Sequence, residues 1–106
     1  MDKHGKLYIS EYNDCYGALL TPYQRELITG YYDHDLSLGE LAQEHGITPQ
    51  GVRDALKRAE KSLEDFESKL GIVDRDRRIR KALSEMAGLG GEAERAAKVA
   101  LDIMDN

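Results

Sequence analysis

At 106 residues, with 41% hydrophobic and 33% charged side chains, the chain is long enough to bury one core, too short for two large domains and too apolar for general disorder. Its formal charge of −5 weakens nonspecific attraction to a polyanion, so any nucleic-acid contact requires a local basic face. A lone cysteine, Cys15, excludes an intramolecular disulfide, and no stretch is long enough for a signal-peptide core or a membrane span, which makes the reducing cytoplasm the expected setting.

In chain order, Leu7, Tyr8, Tyr12, Cys15, Tyr16, Leu19 and Leu20 recur at the three-and-four spacing that lays one stripe along a helix, and predict a first helix over about 8–20. Thr21-Pro22-Tyr23-Gln24 is a start signal: the threonine caps free amides, proline suits the first turn and glutamine reaches back to the cap. The second helix then runs to about Tyr32, and Asp33-His34-Asp35 forms a loop. Ser37-Leu38-Gly39-Glu40 repeats the capping logic for a short third helix ending near His45, with Glu40 at the positive end of the helix dipole.

Gly46 is the left-handed stop, and Thr48-Pro49 restarts a fourth helix carrying Leu56, Ala59, Leu63, Phe66 and Leu70 before Gly71. Such a helix is about twenty residues and roughly 30 Å long. Beyond Gly71, the run Arg75, Arg77, Arg78, Arg80 and Lys81 leads into Ala82, Leu83, Met86 and Leu89, which predicts a fifth helix. The Gly88 to Gly91 break is a candidate linker, and the tail from Glu92 is expected to be helical when docked.

The fold class expected is therefore all-α. A helix-turn-helix domain, winged-helix-like or sigma region 4-like, with about four helices occupies 1–71, and a C-terminal helical extension able to move independently occupies 72–106. Residues 1–47 hold three basic and eight acidic side chains, 48–71 five of each and 72–106 seven of each, so the whole charge deficit lies in the first part.

Helix-turn-helix packing needs a small residue where the two helices cross and a glycine in the turn, which Ala42 and Gly46 provide. Leu38, Leu41 and Ala42 are expected to face the core, Ile47 to plug the turn, and Val52, Leu56 and Ala59 to anchor the second helix. The outward face of that helix carries Gln50, Arg53, Asp54, Lys57, Arg58 and Lys61. Gln50 and Arg53 suit paired hydrogen bonds to base edges; Lys57, Arg58 and Lys61 suit phosphate oxygens. The competing reading of these cations is an ordinary solvated helix face. The Arg75 to Lys81 run is read as solvated surface, because Asp74 and Asp76 interrupt it.

The segments Tyr16-Gly17-Ala18-Leu19-Leu20-Thr21, Gln24-Arg25-Glu26, Tyr31-Tyr32, Asp35-Leu36-Ser37-Leu38-Gly39-Glu40-Leu41-Ala42 and Lys57-Arg58-Ala59-Glu60 resemble the YlxM family of bacterial helix-turn-helix proteins over about 9–70. The supporting-helix pattern is also similar to region 4 of bacterial sigma factors; the order of the fragments favours the YlxM family. That resemblance implies an auxiliary or regulatory role in the signal recognition particle pathway, with binding positions Gln50, Arg53, Lys57 and Arg58. The chain departs from the family pattern at Pro49 and Gly51, which argues against strong DNA binding, and the resemblance leaves 72–106 unexplained.

Three classes of function follow. The first is a noncatalytic accessory protein acting on the particle's RNA, its targeting GTPase or the expression of their genes. The second is a DNA-binding regulator of the sigma region 4 type, and the third a protein-interaction module whose helix-turn-helix is scaffold. The tyrosines at 8, 12, 16, 23, 31 and 32 have the spacing of core or interface packing rather than base stacking, and with the long fourth helix they point to a homodimer. His4, His34 and His45 lack a compact metal-ligand spacing, and Cys15 reads as a buried small apolar residue. No phosphate loop or nucleophile elbow is present, so neither catalysis nor a cofactor is expected.

Overall fold

The computed structural model describes residues 6–106, and His4 lies outside them. Six α-helices make up the described chain: α1 (Tyr8–Tyr16), α2 (Pro22–Ile28), α3 (Leu38–His45), α4 (Pro49–Leu70), α5 (Ile72–Ala87) and α6 (Gly91–Asp105). They form two compact units, one up to Gly71 and the other Ile72–Asn106.

In the first unit α1, α2 and α3 all pack on α4. Ile9, Tyr16, Leu27, Ile28, Leu41, Val52, Leu56, Ala59 and Leu63 are buried between them. The apolar positions of α4 recur at 52, 56, 59 and 63, which keeps them on one side of a helix about 33 Å long.

Local chemistry fixes where these helices begin. At α2 the Gln24 amide donates to Thr21 Oγ1 and the Thr21 amide to Gln24 Oε1, both at 3.2 Å. At α3 the Glu40 amide donates to Ser37 Oγ at 3.0 Å and the Ser37 amide to Glu40 Oε1 at 3.1 Å. Each reciprocal pair satisfies two amides that the helix itself leaves unbonded.

The first two helices depart from the expected boundaries. α1 ends at Tyr16 rather than near Leu20, and Gly17–Leu19 continues as a tighter 3-10 turn. A side chain at Gly17 would stand 2.6 Å from Asn13 Oδ1 and 2.8 Å from Arg25 Nε, so the bare backbone there receives the arginine of α2. α2 stops at Ile28, and Thr29–Asp33 widens into a π-helical turn. Gly30 lets Leu41 approach this turn: a Cβ there would lie 2.8 Å from Leu41 Cδ2. The widened turn buries Tyr31 and frees Tyr32 to bond with α4. Two single-residue expectations also fail. Ile47 is exposed rather than plugging the turn, and Cys15 is exposed rather than buried, because α1 turns that edge away from the core.

The second unit is a hairpin of α5 and α6. Gly90 and Gly91, at φ +75° and +63°, supply the left-handed backbone that reverses the chain, so the glycine run is a hairpin turn. The tail is helical from Gly91 and pairs with α5; Arg80 bridges Asp76 at 2.8 Å within α5 and Asp105 of α6 at 2.7 Å.

Candidate nucleic-acid interface

α3 and the first turns of α4 form the helix-turn-helix. Gly46 sits at φ +67°, a conformation that any side chain would strain, and the Ile47 amide closes the turn on the Ala42 carbonyl at 3.0 Å. Ala42 is buried at the crossing, where its single methyl lets the helices approach. Thr48 Oγ1 accepts from the Gly51 amide at 3.0 Å and caps α4, with Pro49 in its first turn.

Burial of Val52, Leu56 and Ala59 turns the opposite face of α4 to solvent. Gln50, Lys57, Arg58 and Lys61 are exposed there, spread over about 16 Å of helix, and Arg53 is half-buried on its flank. Within the set the partners differ. Gln50 Nε2 donates to Asp54 Oδ1 at 3.0 Å, and Lys61 lies 3.7 Å from Asp65 across an open surface. Arg53, Lys57 and Arg58 form no hydrogen bond or ion pair among the described residues. Their charges are therefore available to an incoming anion without a competing carboxylate to displace. An exposed pair such as Lys61–Asp65 is worth under about 1 kcal/mol and would yield readily to a phosphate.

Behind this face lies a feature that sequence reasoning missed. Tyr32, Tyr8 and Tyr16 each donate a phenolic hydrogen bond to a carboxylate of α4: to Glu60, to Glu64 at 3.2 Å and to Glu67 at 2.5 Å respectively. The acceptors are spaced four and three residues apart, so they stand along one edge of the helix. Burial, and then the hydrogen bond to Glu60 with that residue's charge, pushes the Tyr32 hydroxyl well above its usual range; Tyr8 shifts the same way through burial and Glu64. Glu60 itself is buried. The signal available was the Glu60/Glu64/Glu67 spacing, but its tyrosine partners lie 28 to 56 residues away.

A shallow cleft of about 450 Å³ opens between α2 and α3, bordered by Arg25, Glu26, His34, Glu44 and His45. Its mixed charges favour neither anion nor cation. No group of three His, Cys, Asp or Glu among the described residues is placed to hold a metal, and no described helix is long and apolar enough to cross a membrane.

The capped α3, left-handed turn and polar outer face of α4 define a small all-α helix-turn-helix protein. Residues 3–99 match the UPF0122 family model, described as "Putative helix-turn-helix protein, YlxM / p13 like", and the chain belongs to this family. Among its relatives is a UPF0122 protein of Desulforamulus reducens, 48% identical over 77 residues, 73% of this chain and 66% of that protein. Another, from Thermoanaerobacter sp. strain X514, is 50% identical over 80 residues, 76% of this chain and 68% of that protein. A third, from Geobacillus kaustophilus, is 40% identical over 98 residues, 87% of this chain and 89% of its own length. The first two alignments span about two thirds of the relatives' own length.

Proposed function

We propose that the protein is a noncatalytic, cytoplasmic helix-turn-helix accessory factor that binds nucleic acid through the outer face of α4, acts in the signal recognition particle pathway and works as a homodimer. The observation that carries the binding part is the set Arg53, Lys57 and Arg58, without carboxylate partners among the described residues, on a capped and glycine-terminated helix. The resemblance of 9–70 to the YlxM family supports the pathway. Lys57, Arg58 and Lys61 meet phosphate oxygens, and Gln50 and Arg53 lie nearest the end of the helix from which such modules read bases.

The test compares binding of the full chain to the particle's RNA, to its targeting GTPase and to mixed-sequence duplex DNA at physiological salt. Saturable binding to the RNA or the GTPase supports the reading; absence of both, with folded protein, refutes it. Sequence-selective duplex binding that survives competitor DNA supports instead a transcription regulator of the sigma region 4 type. That second reading is favoured by the position of Gln50 and Arg53 in the first turns of α4. Partner binding unchanged by Arg53→Glu/Lys57→Glu would assign the helix-turn-helix a scaffold role.

A further inference from the structure

The α5–α6 hairpin is 35 residues long, below the size at which a helical unit buries enough surface to stand alone. Only Val73 and Ala97 are buried within its two helices. Meanwhile Ile79, Met86, Val99 and Ile103 remain 43%, 41%, 60% and 69% exposed. These four are not scattered. Ile79 and Met86 are seven residues apart on α5, and Val99 and Ile103 four apart on α6, so each pair shares a stripe. At 3.6 residues per turn the α5 stripe stands about 80° from the face that packs on α6. The α6 stripe stands farther, about 140°, from its own packing side; once its antiparallel direction is taken in, Ile103 turns toward the same side as Ile79 and Met86, and Val99 lies at the outer rim of that face.

We infer that this face is the homodimer surface: two copies of the hairpin pack through Ile79, Met86, Val99 and Ile103 into an antiparallel four-helix bundle. The inference rests on the homodimer part of the reading above and names its surface. Two observations select a second copy as the occupant. The first is area. Taken against roughly 200 Å² for a residue of this size, the four side chains expose on the order of 400 Å² per copy; a standard interface takes about 800 Å² per partner, of which a little over half is apolar.

The second is charge. α5 carries five basic and three acidic side chains, and α6 two basic and four acidic, giving +2 against −2. A two-fold axis parallel to the helices sets each α5 between its own α6 and the partner's, so every neighbouring pair is antiparallel and of opposite sign. The hairpin is neutral in total, and two copies meet without net repulsion.

Light scattering and sedimentation of the full chain test the surface. The wild type is expected at about twice 11.9 kDa at roughly 50 µM. Ile79→Ser/Ile103→Ser should weaken association by a hundredfold or more and give monomers. Ile79→Ala/Ile103→Ala, which preserves helix propensity, should weaken it at least tenfold and should recover the wild-type helical circular dichroism at concentrations that restore the dimer, so that loss of the dimer cannot be ascribed to helices unable to form. Leu19→Ser, at an exposed leucine of the first unit, should leave the mass unchanged. A wild type that is dimeric but insensitive to both hairpin variants overturns the surface while leaving the homodimer standing. A monomeric wild type overturns both.

Discussion

Replacing Tyr32 by Phe removes one oxygen and tests the polar contacts behind the recognition helix. Glu60 is 2% exposed; its Oε1 accepts from the Tyr32 hydroxyl, and its Oε2 is buried with no hydrogen-bond partner among the described residues. Without the phenol, the carboxylate keeps its burial and loses its donor. Hydrogen bonds to charged groups contribute about 1.5–3 kcal/mol, and Tyr32 is only half-buried, so water offsets part of the loss. A destabilisation of about 2 kcal/mol follows. All six tyrosines lie in the first unit, so near-ultraviolet circular dichroism follows its unfolding separately from the hairpin. At about 1–2 kcal/mol per molar, the urea midpoint should fall by roughly 1–2 M. Glu60→Gln retains an acceptor for Tyr32 while removing the buried charge, and should cost less than the phenylalanine variant. A loss below about 0.5 kcal/mol in Tyr32→Phe, or a greater loss in Glu60→Gln, would refute this account of the contact.

The same hydroxyl sets a pH dependence: its raised value in the folded chain means that its contribution is fully present below the ordinary value of 10.0 and is lost as pH rises beyond it, so the unfolding midpoint should fall in alkali and fall less steeply in Tyr32→Phe. Ser37→Ala removes one half of the capping box of α3 and should cost about 1 kcal/mol in thermal unfolding, with Ser37→Asp retaining most of the stability. For nucleic-acid binding, Lys57→Ala should weaken affinity across sequences and lower the slope of log K against log salt by about one, whereas Gln50→Ala should leave the slope in place. An unchanged slope in Lys57→Ala would remove that side chain from the phosphate contacts.

Elements closed by neighbours in sequence were legible from the residues alone. Thr21 with Gln24, Ser37 with Glu40 and Gly46 after His45 each carry their geometry within four residues, and the structure places caps and turn there. The polar face of α4 was legible too, because periodicity assigns both sides of a helix at once, although the half-burial of Arg53 on its flank was not. What escaped depends on distant partners. The π-helical turn at Thr29–Asp33 requires Leu41 against Gly30 and Glu60 beside Tyr32, and no local signal within 29–33 carries either. The packing reading of the tyrosines holds for Tyr16 and Tyr31, which are buried, with Tyr16 6.0 Å from Phe66 between ring centres, but not for Tyr23, which is exposed. Their hydroxyl partners could be known only once α1 lay beside α4.

Because α4 is one uninterrupted rod of 22 residues, its outward cations and its tyrosine-bonded carboxylates cannot adjust separately. If a polyanion docks near Arg53 and Lys57 as proposed, a torque applied there would be resisted between about one and four turns along the helix by Glu60, Glu64 and Glu67, each held by a phenol from another segment. Under the proposed binding, the bank of tyrosines would clamp the helix that carries the docking face. Loosening it would add orientational freedom at the docking face, and a ligand would then lose affinity through entropy while every side chain that touches it stayed in place.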